Sequence, residues 1–433
     1  MTKSGNDSSD SDDGGDPGIP DALARIAKER GWSAELTRRI ADARVPLSSL
    51  YSWTWFGLSP EQTAAQLKWY ERMTTGDLRA RDATYADNEE FSALWSDSPE
   101  EIAGWEIIVE RGPDAFAQFR LQQNVQIPIL LLGHEIVACC AFSRRKVLID
   151  GRPFSVQYGQ ALRVRRACRR LGYGDQVRRL AMPPWMARPS VGQYDIMRSQ
   201  NFAVVNWWQK YSPQFFENTP TREGSVPGLP ISVAQFPADT RGDRDRAIRA
   251  VRGEDLSACA ALINRTQVGM DLFRPYSAEF LEDVLDEGFW GERPKPTGNP
   301  TMDWWKSVYG WTDYFVLEEE GRIRACGGLW DRGRDMRERW SRIGGDEHRT
   351  IAIACVLDFG YDDGAEECMA RLLRWMIGRA HELGREYLAI PIEHLPKLAA
   401  MMEMSHPEPD TRALRWGLKE PSITRPYTDL RYW

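Results

Sequence analysis

The sequence predicts an α/β chain: two similar domains, each a mixed, mainly antiparallel sheet flanked by helices (the α+β arrangement), preceded by a disordered tail and a helical arm. Three observations predict it. From Phe154 to Val164 the residues Phe154, Val156, Tyr158, Gln160, Leu162 and Val164 alternate onto one face of a half-buried strand. Directly afterwards Arg169, Gly172 and Gly174 make a glycine turn, and from Asp175 the period becomes helical, with Val177 and Leu180 on one side. The order of strand, helices, antiparallel strands, central strand and helix is then written a second time further along the chain.

Composition narrows the class. A chain of 433 residues with 42% apolar content suits two or three ordinary cores. A formal net charge of −7 argues against nucleic acid as a partner. No apolar run approaches the ~18 residues of a membrane span, and no signal-peptide core opens the chain, so no membrane association is expected and a cytoplasmic location is. Seven cysteines, with Cys139 and Cys140 adjacent and no Cys-x-x-Cys pair, read as small buried residues. The five histidines (His134, His348, His381, His394 and His406) have no ligand spacing with one another, so no metal is expected.

In chain order, residues 1–19 set Asp7, Asp10, Asp12, Asp13 and Asp16 among Ser and Gly, a disordered acidic tail. Residues 20–77 form the helical arm: Leu23, Ile26, Ala27, Leu36 and Ile40 line one helical region, and Ser59-Pro60-Glu61 opens another. The aromatic run Tyr51 to Phe56 between them reads as a packing plug, with a pocket wall as the alternative.

The first domain spans 78–236. Leu78 to Thr84 reads as a strand, Asp87 to Trp95 as a helix, and Ser98-Pro99-Glu100-Glu101 as the cap of a further helix to about Glu110. Val125 to Leu132 and Ile136 to Ile149 read as strands, and Asp150-Gly151 turns the second into the central strand. The helix after the glycine turn stops at Pro183-Pro184. Tyr194 to Arg198 is a strand, Asn201 to Trp208 a helix, and Ile231 to Phe236 the closing strand.

A charged linker, 237–246, leads to the second domain, 247–433. Ile248 to Val251 reads as a strand, Gly253 to Leu256 as a helix start, and Ser277 to Glu287 as a helix. Tyr314 to Leu317 and Ile323 to Trp330 form a hairpin around Glu320-Gly321, Thr350 to Leu357 the central strand, Ala365 to Leu383 its helix, and Glu386 to Pro391 the next strand. The aromatic insertion between Phe289 and Trp311, with Trp304, Trp305 and Tyr309, either lines a groove for an acceptor or joins the two domains.

The strand ending in Leu162-x-Val164, followed by Arg169-x-x-Gly172-x-Gly174 opening a helix, resembles the pyrophosphate loop of the GNAT acyl-CoA N-acyltransferase superfamily, and the order of elements around it is similar too. A Rossmann turn would need Gly-x-Gly-x-x-Gly and a later acidic residue, and neither is present. The resemblance implies acetyl-CoA or another acyl-CoA as co-substrate, with Leu162 and Val164 offering backbone groups to the pantetheine arm. Arg169, Arg170, Leu171, Gly172, Tyr173, Gly174 and Asp175 would then hold the pyrophosphate, at a helix start whose unpaired N–H groups suit an anion. The Asn-x-x-Ala-x-x-x-Tyr helix of the family is matched by Asn201 to Trp208 with Trp208 in the tyrosine position. Tyr158 or Tyr211 would then supply the catalytic proton, the alternative being that each is a core or rim tyrosine.

The activity implied is direct acyl transfer to an amine, either a small molecule or a protein lysine, with Glu110, Glu135 and Asp195 as conceivable bases. A non-catalytic acyl-CoA-binding or interaction protein, or an O-acyltransferase, is the alternative. In the second domain Asp362, Asp363, Glu366 and Glu367 occupy the equivalent turn, where fixed carboxylates repel phosphate, so that domain is expected to be a degenerate copy.

Overall fold

The computed structural model describes residues 20–45, 50, 59–61, 63–64, 67, 71, 78–122, 124–169, 171–181, 192–198, 229–239, 245–286, 308–392, 394–402, 408–416 and 423–432. The acidic tail, the 51–56 run, the 201–208 helix, Arg170, Tyr211 and residues 289–307 of the aromatic insertion lie outside the described residues.

Residues 1–79 and 80–433 form two compact units. In the first, helices Asp21–Arg30 and Ala34–Asp42 bury Leu23, Ile26, Leu36 and Ile40 together with Leu50 and Leu67. Gly31, at φ 65°, ends the first helix in the left-handed conformation, and Ser33 caps the second by accepting from the Leu36 N–H at 3.1 Å.

In the second unit the strands of the first half are β1 (Leu78–Asp82), β2 (Glu100–Ile102), β3 (Trp105–Arg111), β4 (Pro128–Leu132), β5 (Glu135–Ile149), β6 (Arg152–Val164), β7 (Gly192–Arg198) and β8 (Leu229–Pro237). Those of the second half are β9 (Ile248–Ala250), β10 (Tyr314–Glu319), β11 (Arg322–Trp330), β12 (Met336–Arg342), β13 (His348–Ile351), β14 (Ile353–Tyr361), β15 (Tyr387–Ile390) and β16 (Glu408–Trp416). One 12-stranded sheet runs in the order β1-β4-β5-β6-β7-β16-β8-β15-β14-β11-β10-β9. The pairs β6–β7 and β14–β15 are parallel, which requires a crossover in each half. The fold class read from the sequence is the one observed.

The two halves exchange their last strands. β8, expected to close the first half, pairs with β15 and β16, while β16, from the end of the chain, pairs with β7. A local device is repeated as well. Arg81 binds Asp87 through both carboxylate oxygens at 2.5 and 2.6 Å, and Asp87 accepts the Thr84 N–H at 2.7 Å. Arg249 binds Asp255 in the same way at 2.6 and 3.0 Å, and Asp255 accepts the Arg252 N–H at 2.8 Å. In both places a strand is tied to the start of the helix that follows it, Asn88–Ser96 or Leu256–Thr266.

The helix expected from Ser98 to Glu110 is instead the hairpin β2–β3. Ala103 (φ 51°) and Gly104 (φ 79°) supply the two left-handed residues of a tight hairpin turn, and Ile107, Val109 and Arg111 alternate into the interior. This hairpin joins β12, a strand with no counterpart in the sequence analysis, and β13 in a 4-stranded sheet of order β13-β12-β3-β2. The expected central strand of the second half, 350–357, is divided between β13 and β14, and β14 continues to Tyr361. The apolar face of helix Glu366–Glu382, with Met369, Leu372, Leu373, Met376 and Ala380, packs on Ala354, Val356 and Leu388 as its spacing predicts.

Candidate active site

β6 and β7 pair from Val156↔Gly192 only as far as Gly159↔Asp195. Beyond that point β6 runs on to Val164 and β7 to Arg198 with no pairing between them, so the strands part into a wedge. A β-bulge accompanies the parting. Gln160 and Arg163 face Ala141 and Cys139 of β5, which places Ala161 and Leu162 opposite Cys140 alone. Ala161 takes φ 56°, and the extra residue bends β6 away from its neighbour.

The wedge encloses a cavity of about 170 Å³. Residues Gly159 to Arg163 of β6 form one wall and Asp195, Ile196 and Arg198 of β7 the other, with Trp95, Arg332 and Met336 among the residues that close it. A second chamber of about 180 Å³ shares Arg198, Arg332, Met336, Glu338 and Arg412 with the first and is bounded further out by Trp340 and Arg349.

At the end of β6 the chain enters the glycine turn. Gly172 adopts φ 83°, a conformation that a side chain would strain. Helix Tyr173–Ala181 starts hard against β6: a Cβ on Gly174 would lie 3.4 Å from Val164 Cγ2 and 3.9 Å from Leu162 Cδ1. Leu162, Val164, Gly172, Tyr173, Gly174 and Asp175 are thereby brought together at the open end of the wedge. Leu171 is 60% exposed, and Asp175 turns to Arg178 at 3.3 Å. Arg169 donates to the Pro99 carbonyl at 2.5 Å, which fastens the turn to the segment before β2.

The arginine run around the turn is largely engaged with protein. Arg165 bonds the Ile136 carbonyl at 2.8 Å and Glu90 at 3.1 Å, and Arg166 bonds Glu106 at 2.6 Å. Glu100 ties the two lips of the wedge together, pairing with Arg163 of β6 and, at 3.7 Å, with Arg198 of β7. Burial pushes the Glu100 carboxyl toward its neutral form, but the guanidinium groups of Arg163 and Arg198 outweigh it and hold the pKa below the usual range.

Tyr158 is buried beside the cavity, and its hydroxyl donates to the Tyr432 carbonyl at 2.5 Å. Burial and the neighbouring Tyr194 raise its pKa well above the ordinary tyrosine value. Of the three conceivable bases only Asp195 lines the cavity; Glu110 pairs with Arg339 at 3.6 Å on the 4-stranded sheet, and Glu135 is exposed at a hairpin turn. Cys139 and Cys140 are buried behind the bulge, and burial pushes the Cys139 thiol up to about 12, so it is no nucleophile. Arg111, Arg332, Glu338 and Arg412 were not found from the sequence. Arg111 reaches the site from β3, Arg332 from the connection before β12, Glu338 from β12 and Arg412 from the exchanged strand β16, and no local motif marks any of them.

The second half has a wedge of the same construction and a different content. β14 and β15 pair in parallel from Ile353↔Tyr387 to Cys355↔Ala389, and a bulge then sets Asp358 and Phe359 opposite Gly327 alone. Asp358 has φ 51° where Ala161 has 56°. Its fully buried carboxylate accepts from the Tyr276 hydroxyl, from the Tyr309 hydroxyl at 3.1 Å and from the Arg431 guanidinium. Asp362 is covered by Arg265, Arg322 at 2.5 Å and Arg324 at 2.9 Å. The segment 423–432 that supplies Arg431 continues to the first wedge, where the Arg431 carbonyl accepts from Gln122 at 2.6 Å and Gln118 at 3.1 Å.

No group of side chains among the described residues could hold a metal ion, and no described helix is long and apolar enough to cross a membrane. The sequence matches no protein-family model, and it matches no curated protein. Solved structures do match. One of Saccharomyces cerevisiae N-myristoyltransferase with bound myristoyl-CoA and inhibitors aligns with TM-score 0.53 at 10% identity, over 79% of this chain and 80% of that one. Another of the same enzyme with bound myristoyl-CoA aligns with TM-score 0.50 at 12% identity, over 79% of each chain. These alignments show a shared fold of the GNAT type, seen here as a continuous mixed sheet, a central strand bulged away from its parallel partner and a glycine turn at the open end.

Proposed function

We propose that the chain is an acyl-CoA-dependent N-acyltransferase that uses the first wedge. The observation that carries this reading is the parting of β6 and β7 beyond Gly159, with a glycine turn and helix start at its open end. The freed backbone edge of β6 at Leu162 and Val164 suits an amide-containing pantetheine arm. The turn 169–175 suits the pyrophosphate, through the unpaired N–H groups of the first helical turn.

In the reaction, the amine nitrogen attacks the thioester carbonyl, a carbon–nitrogen bond forms, the carbon–sulfur bond breaks and CoA leaves as a thiolate. The carbonyl oxygen carries the developing negative charge beside the bulge, where a strand N–H can stabilise it. An amine with a pKa near 10.4 is mostly charged at neutral pH and must lose a proton first, and we assign that proton to Asp195 because it lines the cavity. Tyr158 forms the inner wall and anchors the C-terminal segment; Tyr211 remains the other candidate proton donor to the thiolate.

The repeated Arg–Asp device and the matched bulges support reading 247–433 as a second, degenerate GNAT copy. Its wedge is occupied by Asp358, Tyr276, Tyr309 and Arg431, which favours a single CoA site in the first half. The seven free thiols suit a reducing compartment such as the cytoplasm. Release of free thiol from acetyl-CoA across a panel of amines, alcohols and lysine peptides tests the activity. Amine-dependent release supports the reading, alcohol-dependent release would make the protein an O-acyltransferase, and CoA binding without release would make it a binding protein.

A further inference from the structure

The cavity of the first wedge has an unusual charge for a place meant to hold an acyl chain. Six arginines line it (Arg111, Arg163, Arg178, Arg198, Arg332 and Arg412) against three carboxylates (Glu100, Asp195 and Glu338). Arg163 pairs with Glu100, Arg198 with Glu338, and Arg178 with Asp175 outside the lining. Arg111 and Arg332 are different. Each is 5% exposed, and among the described residues neither has a carboxylate within ion-pair distance.

Arg332 is the more exceptional. Its Nη2 lies 3.8 Å from the Met336 sulfur and its Nε has no partner, so its neighbours are soft sulfur atoms, those of Met336 and Cys355, in place of oxygens. Arg111 donates to the Ala115 carbonyl at 3.1 Å and the Gln118 amide oxygen at 2.9 Å, both neutral, and stacks on Trp95 at 3.9 Å from the ring centroid. Met336 faces Arg111 directly across the β12–β3 ladder, which sets the two arginines on one side of the chamber. Burial, with Arg332 nearby, lowers the Arg111 pKa to about 9, and burial, with Arg412 and Arg198 nearby, depresses that of Arg332. A guanidinium stays charged in a protein, and a buried cation without a counter-ion is a strongly unfavourable arrangement that an anion relieves.

Resting on the acyltransferase reading, the geometry points to a carboxylate-bearing substrate, with the carboxylate held by Arg332 and Arg111 at the inner end of the wedge cavity. An unsubstituted alkyl chain gains little among six guanidinium groups, whereas a carboxylate matches the planar donor pair of Arg332 and neutralises the chamber. Arg332 lines both chambers, so the carboxylate can arrive by either route: as the far end of a dicarboxylic acyl group on CoA, or as the carboxylate of an amino-acid acceptor.

The test titrates the full chain with four probes. Free succinate asks whether the chamber holds a carboxylate at all. Succinyl-CoA against butyryl-CoA, of equal chain length, tests the donor source. Leucine against isopentylamine as acceptor tests the other. Charge-assisted pairing in a buried site predicts a preference of about tenfold or more for the carboxylate member of one pair, and its collapse to about one in Arg332→Met. The wild-type ratios need no variant, so the inference stays testable if Arg332→Met fails to fold. CoA binding with no preference in either pair and no succinate binding would overturn the inference and leave the acyltransferase reading standing. Failure of CoA itself to bind would reject that reading, and the succinate titration would still decide whether the chamber takes a carboxylate.

Discussion

The two wedges of this molecule are built alike and filled differently. Each lies beyond a short parallel pairing, each is opened by a bulge with one left-handed residue, and each is preceded by a helix tied down by an Arg–Asp pair six residues apart. In the first the left-handed residue is Ala161 and the space beside it is a cavity. In the second it is Asp358, and the space is taken by two tyrosine hydroxyls and a guanidinium. Backbone geometry therefore makes the gap, and side chains decide whether it is a site or part of the core.

The largest effect should come from breaking the exchange that joins the halves. A fragment ending at Phe236 keeps β7 and β8 but loses β16, which lies between them, and β15 beyond β8. An unpaired edge on β7, a β8 with no partner on either side and an opened core predict an insoluble product when it is expressed alone. A soluble, folded fragment with native-like circular dichroism would show the first half to be independent of the second.

Asp358→Ala attacks the filled wedge. It leaves Arg431 buried with only Asp429, at 3.3 Å, and strands two tyrosine hydroxyls, so a loss of about 3–5 kcal/mol is expected in chemical denaturation. A loss below about 1 kcal/mol would mean that the wedge contents are not structural. Asp362→Asn should cost less, about 1 kcal/mol, because its arginine partners are partly exposed, and Asp363→Asn should cost nothing measurable. Neither change is expected to alter turnover at the first wedge.

How much of this was legible beforehand follows from where the information sits. The glycine turn, the alternation of β6 and the helix 366–382 are local patterns, legible from their spacing. The hairpin β2–β3 was misread because Ser98-Pro99-Glu100 imitates a helix cap, while the alternation from Trp105 to Arg111 is short. The strand exchange and the cavity arginines Arg332 and Arg412 are set by pairing across more than a hundred residues, and nothing in the neighbouring sequence announces them. The acidic turn at Asp362 was visible, but its three arginine partners were not.

A smaller effect should come from His394, half-buried in the second half with a ring nitrogen 2.8 Å from the Gln267 amide oxygen. Burial, with Arg425 nearby, lowers its pKa to about 4. Between pH 6.5 and 4 the unfolded chain then binds the extra proton and the folded chain does not, so stability rises with pH across that window and falls as acid is added. His394→Gln should flatten the dependence by about 2 kcal/mol in denaturation curves at pH 4.5 and 7. An unchanged slope would place the acid sensitivity elsewhere.

The most direct test of the contrast between the wedges is the stoichiometry of CoA binding by calorimetry, in the wild type and in Gly174→Glu. The substitution puts a carboxylate at the helix start, where a Cβ already meets Val164, and leaves the second half untouched. One site per chain, lost in Gly174→Glu while the melting temperature stays within a few degrees, is the expected result. Two sites, or one site that survives the substitution, would show that the first wedge is not where CoA binds.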